Sequence, residues 1–506
     1  MNPTIKNIKL YLSVSFFAML VFDAFFAEAQ TLKFQKVYGG YSYDYGNDLI
    51  QTADSGYLLL CTSNSFSNSS DIYLLKVDQQ GNYEWQRTYG GNEIEGACKI
   101  KFTKDGNIVM AGHTSSYLNT SYDFYLIKAN TNGDTLWTKH YGTNEWDFAN
   151  SMDTCADGGF IMAGKTYDTG NAFSDILIVK TDADGNEQWQ KKIGGSLDDV
   201  ANSIISVSDG YFICGTSSSS GNGESDIYIC KLDLSGNIVW ENYYGNEFDD
   251  FGTDIYLSED NSLVFCGNRT TPDYPNNFNT YIRKIRTSGL TYWAAPNSTI
   301  GNVNNITNSV IEGVNKRVTT VGSFDSNSPG INELVLYVWD STANYVESGT
   351  HGGSFEDYGK SIIKTLDYGY AAIGTTNSFG MGLSNIYFVK TDTLTPSVGT
   401  LSILVNLKET NQLVAAQNLV YPNPFSHSST INIDFPASIV ASNAFALKLI
   451  DQLGNEVSHQ VAYTVKDNNK GSAITINNRS LSNGMYFYSL LLNNKAITQG
   501  KFTIIK

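Results

Sequence analysis

The chain has 506 residues, with 33 basic against 50 acidic side chains for a net charge of −17 and only 16% charged residues. Such a length exceeds one ordinary domain, and the acid excess argues against nucleic acid or an anionic membrane as partner. Abundant Gly with few charges favours short strands and tight turns over helices, and the six cysteines form no CxxC pair of the kind that marks a redox or zinc site.

At the start, Lys6 and Lys9 precede an apolar run from Leu10 to Phe22, and Ala27-Glu28-Ala29 supplies a small-x-small cleavage pattern. Residues 1–29 therefore read as a signal peptide with cleavage at Ala29 or Gln30, so that the mature chain starts at Gln30 or Thr31. The mature chain is expected to lack a transmembrane segment.

Residues 31–394 are built on a repeat. Its clearest copy is Asp71 to Gly91, DIYLLKVDQQGNYEWQRTYGG, which returns at Asp123–Gly142, Asp175–Gly195 and Asp226–Gly245 and more weakly near 281–293, 334–353 and 386–392. Trp85, Trp137, Trp189, Trp240 and Trp293 recur at intervals of 51 to 53 residues. A period near fifty that holds only strand-like segments marks a β-propeller with one four-stranded blade per repeat. In the second unit the strands are expected near Ala97–Phe102, Asn107–Ala111, Asp123–Ala129 and from Trp137. The third strand alternates, with Ile72, Leu74 and Lys76 opposite Tyr73, Leu75 and Val77, and is largely apolar on both faces, as a strand sandwiched between layers should be. Gly81-Asn82 and Gly133-Asp134 suit hairpins that need positive φ.

Closure sets the blade number. Third strands fall near Tyr73, Tyr125, Leu177, Tyr228, Tyr281, Leu336 and Tyr387, and no Trp strand follows the last. The opening Phe34–Gly40, FQKVYGG, matches Trp85–Gly91 and has no third strand before it. The orphan at the start should therefore complete the last blade, giving seven blades with no open edge. The unit at Leu334–Gly353, with Glu347 in the Trp position, is the weakest copy.

Each corner after the fourth strand carries an acid at a fixed place: Asp44, Glu95, Asp147, Asp199, Asp250 and Asp357, with Asn305 in the sixth unit. One reading is a cation or polyhydroxyl site ringing the channel mouth, with Ca²⁺ as the ion. The other is that each acid accepts backbone N–H bonds at its own corner, since a residue needed once per repeat serves a per-repeat purpose. The loops between second and third strands, rich in Ser, Asn and Tyr, should lie on the same face and suit polar contacts with sugars or partner surfaces. Cys61, Cys214 and Cys266 occupy second-strand positions held elsewhere by Ala111 and Ala163 and read as small core residues. No catalytic residue, metal ligand set or cofactor site is assigned. Residues 395–417 read as a connector, and 418–506 as a small β-sandwich bounded by Pro, Asn and Gly turns. The fold class is thus all-β: a seven-bladed β-propeller followed by an Ig-like sandwich.

This last segment resembles the type A C-terminal sorting domain of type IX secretion cargo. The matching residues are Tyr421-Pro422-Asn423-Pro424-Phe425, Asp451–Gly454, the stretch holding Gly484 and Tyr486, and Gly500-Lys501. The resemblance implies the type IX machinery as partner, passage across the outer membrane, and a final location in the medium or on the cell surface. The repeat resembles those of secreted bacterial propellers and is similar to the Trp-docking repeats of quinoprotein-type propellers, which implies that the five Trp lock neighbouring blades. It is also similar to the Asp-box hairpin of sialidases, but only Arg269, Arg283 and Arg286 group as an arginine set. The reading favoured is a non-enzymatic, exported module that binds glycan or protein. A polysaccharide hydrolase or lyase, and a structural surface protein, are the alternatives.

Overall fold

The computed structural model describes residues 34–391 apart from 68, 118–120, 168–172, 272–273, 296–303 and 326–331, and, between 420 and 504, the C-terminal strands with short flanks. Ala29, Gln30, the connector 395–417 and Pro422, Asn423 and Pro424 lie outside the described residues. No α-helix occurs among the described residues, so none is long and apolar enough to cross a membrane.

Seven four-stranded antiparallel sheets form the propeller. The first strand of the chain, β1 (Phe34–Tyr38), pairs with β28 (Asn385–Thr391) and completes the sheet of β26 (Asp357–Lys364) and β27 (Tyr370–Thr376). Phe34 stands opposite Lys390 and Tyr38 opposite Ile386, so the two ends of the repeat region are stitched by one ladder. The other six blades are consecutive in sequence and begin with β2 (Asp44–Gln51), β6 (Glu95–Phe102), β10 (Asp147–Thr154), β14 (Asp199–Val207), β18 (Asp250–Leu257) and β22 (Asn305–Glu312). These first strands and β26 contact one another in a closed ring around a central channel. In the second blade, β6 starts at Glu95, earlier than its apolar run, because the corner acid already pairs with Thr114. Asn107 is spent on the turn, leaving the next strand, β7, at Ile108–Thr114.

Third strands are buried along their whole length in β4 (Asp71–Val77), β8 (Asp123–Ala129) and β16 (Asp226–Leu232). Their apolar side chains on each face join clusters that run from one blade to the next, for example Leu58, Leu60, Ile72 and Leu74 with Ile100, Met110 and Tyr125. Six blades also repeat an ion pair that the alternation pattern does not announce. Lys76, Lys128, Lys180, Lys231, Lys284 and Lys390 reach Asp54, Asp105, Asp157, Asp209, Asp260 and Asp367 at 2.6–3.1 Å. In the sixth blade Val338, which stands opposite Thr319 and Glu347, takes the lysine's place.

The C-terminal strands form one four-stranded and one three-stranded sheet, both antiparallel. Tyr421 lies in β29 (Val420–Tyr421), and Gly484 and Tyr486 lie in β34 (Gly484–Leu492). The Tyr486 hydroxyl donates to the Ser482 carbonyl at 2.9 Å. Gly500 and Lys501 sit in β35 (Lys495–Ile504), opposite Tyr488 and Phe487.

Candidate functional site at the channel mouth

The corner acids are fully enclosed by their own corners. Gly40 N–H donates to Asp44 at 2.8 Å, Gly91 N–H to Glu95 at 2.9 Å, and Gly195 N–H to Asp199 at 2.8 Å. Asn246 N–H meets Asp250 at 2.7 Å, Gly353 N–H meets Asp357 at 2.8 Å, and Thr143 N–H does the same for Asp147. Hydroxyls complete several of these sites, such as Ser65 on Asp44 and Ser219 on Asp199, both at 2.7 Å. Asn305 instead accepts the Tyr337 hydroxyl at 2.6 Å. All six acids are buried and line neither cavity of the channel. Burial raises the pKa of Asp44, Asp147 and Asp357, and raises that of Asp250 to about 7 against the Asn246 N–H and Arg269. Backbone N–H groups of four corners, those of Asp44, Glu95, Asp147 and Asp250, also bind the foot of the preceding blade's loop, as where Glu95 N–H meets the Ser70 carbonyl at 2.7 Å. The variable loops and the corners therefore share one face.

The Trp residues sit at blade junctions. The indoles of Trp85, Trp137, Trp189 and Trp240 cover Gly133, Gly185, Gly236 and Gly289, the positive-φ glycines of the next blade's hairpin. Phe34 covers Gly81 in the same way at the closing junction. Tyr38, Tyr89 and Tyr141 donate their hydroxyls to the carbonyls of Gly81, Gly133 and Gly185 at 2.6–2.7 Å. Trp293 packs in the cluster that contains Ala343, where the sixth blade has no glycine. Asp182 and Asp184 belong to such a hairpin, in which Asp182 accepts the N–H groups of Asp184 and Asn186. The three arginines are spent on aromatic rings: Arg269 on Tyr281, Arg283 on Tyr244 and Tyr281, and Arg286 on Tyr292.

What lines the mouth is a set of residues that the repeat pattern does not single out. Every first strand carries a β-bulge at its fourth position. The extra residue is left out of the ladder and its side chain is re-aimed. In chain order these residues are Asn47, Cys98, Asn150, Asn202, Thr253, Asn308 and Lys360, and all seven line one cavity of about 360 Å³. The amide groups of Asn150, Asn202 and Asn308 bridge to carbonyls of the next first strand, at Ala201, Gly252 and Gly359, at 2.6–2.9 Å. Their side-chain geometry is thereby fixed before any ligand arrives.

Below this collar, the next residue of each strand lines a second cavity of about 330 Å³ with Asp48, Lys99, Ser151, Ser203, Asp254, Ser309 and Ser361. Ser361 donates to Asp48 at 2.6 Å, while Ser203 and Ser309 donate to Asp254 at 2.8 and 2.7 Å. Lys99 lies 3.5 Å from Asp48. Burial opposes the Lys99 charge, but Asp48 and then Asp254 hold its pKa above the usual lysine value. This layer is closed on itself by hydrogen bonds and ion pairs.

On one side the collar opens onto an aromatic cluster from the second and third blades. Phe148 and Lys165 line the same cavity, as does His113, whose ring centroid is 5.1 Å from that of Phe148. Tyr122 packs 4.8 Å from Phe148 and 5.7 Å from Trp146, and Trp146 is 53% exposed. The Lys165 ammonium donates to the Tyr167 hydroxyl at 3.0 Å and lies over the Phe148 and Tyr167 rings. Burial lowers the His113 pKa to about 4 and raises that of Cys98 to about 12, so both are neutral at neutral pH. Cys61, Cys214 and Cys266 are buried free thiols in the blade cores. Among the described residues, no group of three or more His, Cys, Asp or Glu is placed to hold a metal.

Fold and site together define a seven-bladed β-propeller whose first-strand bulges build a polar collar at one end of the channel. Residues 419–506 match the family of secretion system C-terminal sorting domains, so the propeller travels on a secretion signal to the cell surface or beyond. No curated protein matches the chain. Among solved structures it is similar to the Pan2 WD40 domain of Neurospora crassa, at 12% identity, TM-score 0.40, and coverage of 71% of this chain and 91% of that one. The β-propeller domain of the Trilobed protease from Pyrococcus furiosus gives 12%, 0.40, 72% and 98%. The Penicillium chrysogenum α-L-arabinanase complexed with arabinobiose gives 8%, 0.40, 72% and 98%. At these values the architecture rests on the strand pairing itself, and function must be argued from the site.

Proposed function

We propose that the exported chain is a non-enzymatic carbohydrate-binding propeller whose channel mouth takes a glycan. The observation that carries this reading is the solvent-facing cluster of Trp146, Tyr122 and Phe148 beside a collar of fixed asparagine amides. Aromatic faces stack on the C–H faces of sugar rings, while pre-set amides meet hydroxyls with little ordering cost. In the first blade an exposed aromatic pair, Tyr43 and Tyr45, occupies the positions that Trp146 and Phe148 hold in the third. Among the described residues the mouth offers no carboxylate pair for acid–base hydrolysis, and its thiol and imidazole are held neutral. This supports binding over turnover.

The test incubates the purified chain with a panel of extracellular polysaccharides and sizes both bound and unbound polymer. Retention of intact polymer that Trp146→Ala reduces about tenfold or more is the expected result, since a stacked aromatic contributes on the order of 1–2 kcal/mol. Shortened polymer would overturn the non-enzymatic reading. Retention unaffected by Trp146→Ala would move the site away from the channel mouth.

A further inference from the structure

The same pocket carries a charge pattern at odds with the rest of the chain. Acidic side chains outnumber basic ones by 50 to 33 overall, yet among the described residues the mouth is lined by Lys165, Lys360 and His113 and by no acid. Lys360 is the bulge residue of the closing blade, where the other six blades place Asn, Thr or Cys. Its ammonium makes no ion pair among the described residues. Of the channel acids below, Asp48 is engaged by Lys99 and Ser361, and Asp254 by Ser203 and Ser309. Enclosure in the channel and then the neighbouring Lys99 lower the Lys360 pKa, and Asp254 and Asp48 offset this only in part. Among the described residues Lys165 likewise faces aromatic rings and the Tyr167 hydroxyl. The register places it opposite Phe148, at the point where Thr62, Thr216 and Thr375 stand in three other blades.

Two lysines that depart from their repeat positions, in one cavity with no acid among its described lining residues, form a site for an anionic group. We infer that the channel mouth selects glycans bearing sugar carboxylates, as uronic acids do, with the carboxylate held by Lys360 and Lys165 and the sugar face on the Trp146 cluster. This rests on the glycan reading above and adds the charge of the ligand. The acidic remainder of the propeller repels polyanions at long range, so a carboxylate is favoured here only through close contact. The preference should therefore depend on these two side chains and weaken as salt screens them.

The experiment measures the affinity of the full chain for oligogalacturonate and for the same oligomer with its carboxylates reduced to alcohols. The acidic form should bind about tenfold tighter or more at low salt, with the gap narrowing as salt rises. Lys360→Asn and Lys165→Thr adopt residues that sister blades already carry at these positions, which favours folding. Each should remove most of the preference, read as the ratio of the two oligomers' affinities for the same variant. Equal affinity for the two oligomers, or a preference unchanged in both variants, would overturn the charge assignment and leave the glycan reading standing. Capture of polyglutamate but of neither oligomer would overturn both in favour of an acidic protein partner. Binding of none of the three would overturn both as well.

Discussion

The third and fourth blades offer a controlled comparison. Their corners have the same backbone and the same buried acid, Asp147 or Asp199, each bonded to an N–H four residues earlier. Around that shared frame the third blade sets Trp146, Phe148, Lys165 and Tyr167, with Tyr122 reaching across from the second. The fourth sets Asp198, Val200, Thr216 and Ser218, with Ser174 at the place of Tyr122. The difference separates two kinds of residue in a repeat protein. What recurs in each unit holds the unit together, and what breaks the recurrence on one face is free to recognise a ligand.

The largest expected effect tests the frame that both blades share. Deleting β1 strips the closing sheet of its edge strand, the Phe34 cover over Gly81 and the Gln35 bond to Tyr387. Cooperative thermal unfolding should be lost or fall by tens of degrees by calorimetry. A propeller melting as before would show that closure is not made by this strand.

Next come the corner acids. Asp147→Ala and Asp199→Ala should each destabilise by about 2–3 kcal/mol in denaturant titrations, because each leaves buried donors unpaired. Markedly unequal losses would break the idea that the two corners serve the same purpose.

A smaller effect, of opposite sign, is expected at the neighbouring third-strand acids. Among the described residues Asp123 is buried without a hydrogen-bond partner, and burial, then Asp147, raises its pKa to about 6. Asp175 has Lys192 at 3.5 Å, whereas the matching residue in the second blade, His140, stacks on Tyr117. An acid whose folded-state pKa lies above its unfolded value holds its proton more tightly when folded. Its contribution to stability is therefore full below about pH 4 and is lost as pH rises to about 6 and beyond. Asp123→Asn, which copies Asn279 and Asn385 of two other blades, should flatten this fall and raise stability at pH 8 by about 1–3 kcal/mol. Asp175→Asn should give no such gain. Melting curves between pH 4 and 8 check the pair.

The smallest effect on stability is expected at Trp146. Half exposed and absent from the blade cores, it should tolerate Trp146→Ala with less than about 1 kcal/mol of change while polymer retention drops. A large loss of stability would return this residue to the scaffold and weaken the contrast between the two blades.

The sequence by itself determined whatever is local to one repeat or repeated along the chain. The Trp period, the glycine hairpins, the match of Phe34–Gly40 to Trp85–Gly91 and the ordered motifs after Leu419 were enough for seven blades, their closure and the export signal. These are short-range turn and strand preferences, multiplied by repetition. The collar was decided only in three dimensions. Asn47, Asn150, Asn202 and Asn308 stand three residues past each corner in plain view, but only the bulge in each first strand turns them into the channel. Likewise, nothing in the spacing relates Lys360 to Lys165 or Trp146 to Tyr122. Blades far apart in sequence come together at the axis because the ring closes, and closure is a property of the whole chain.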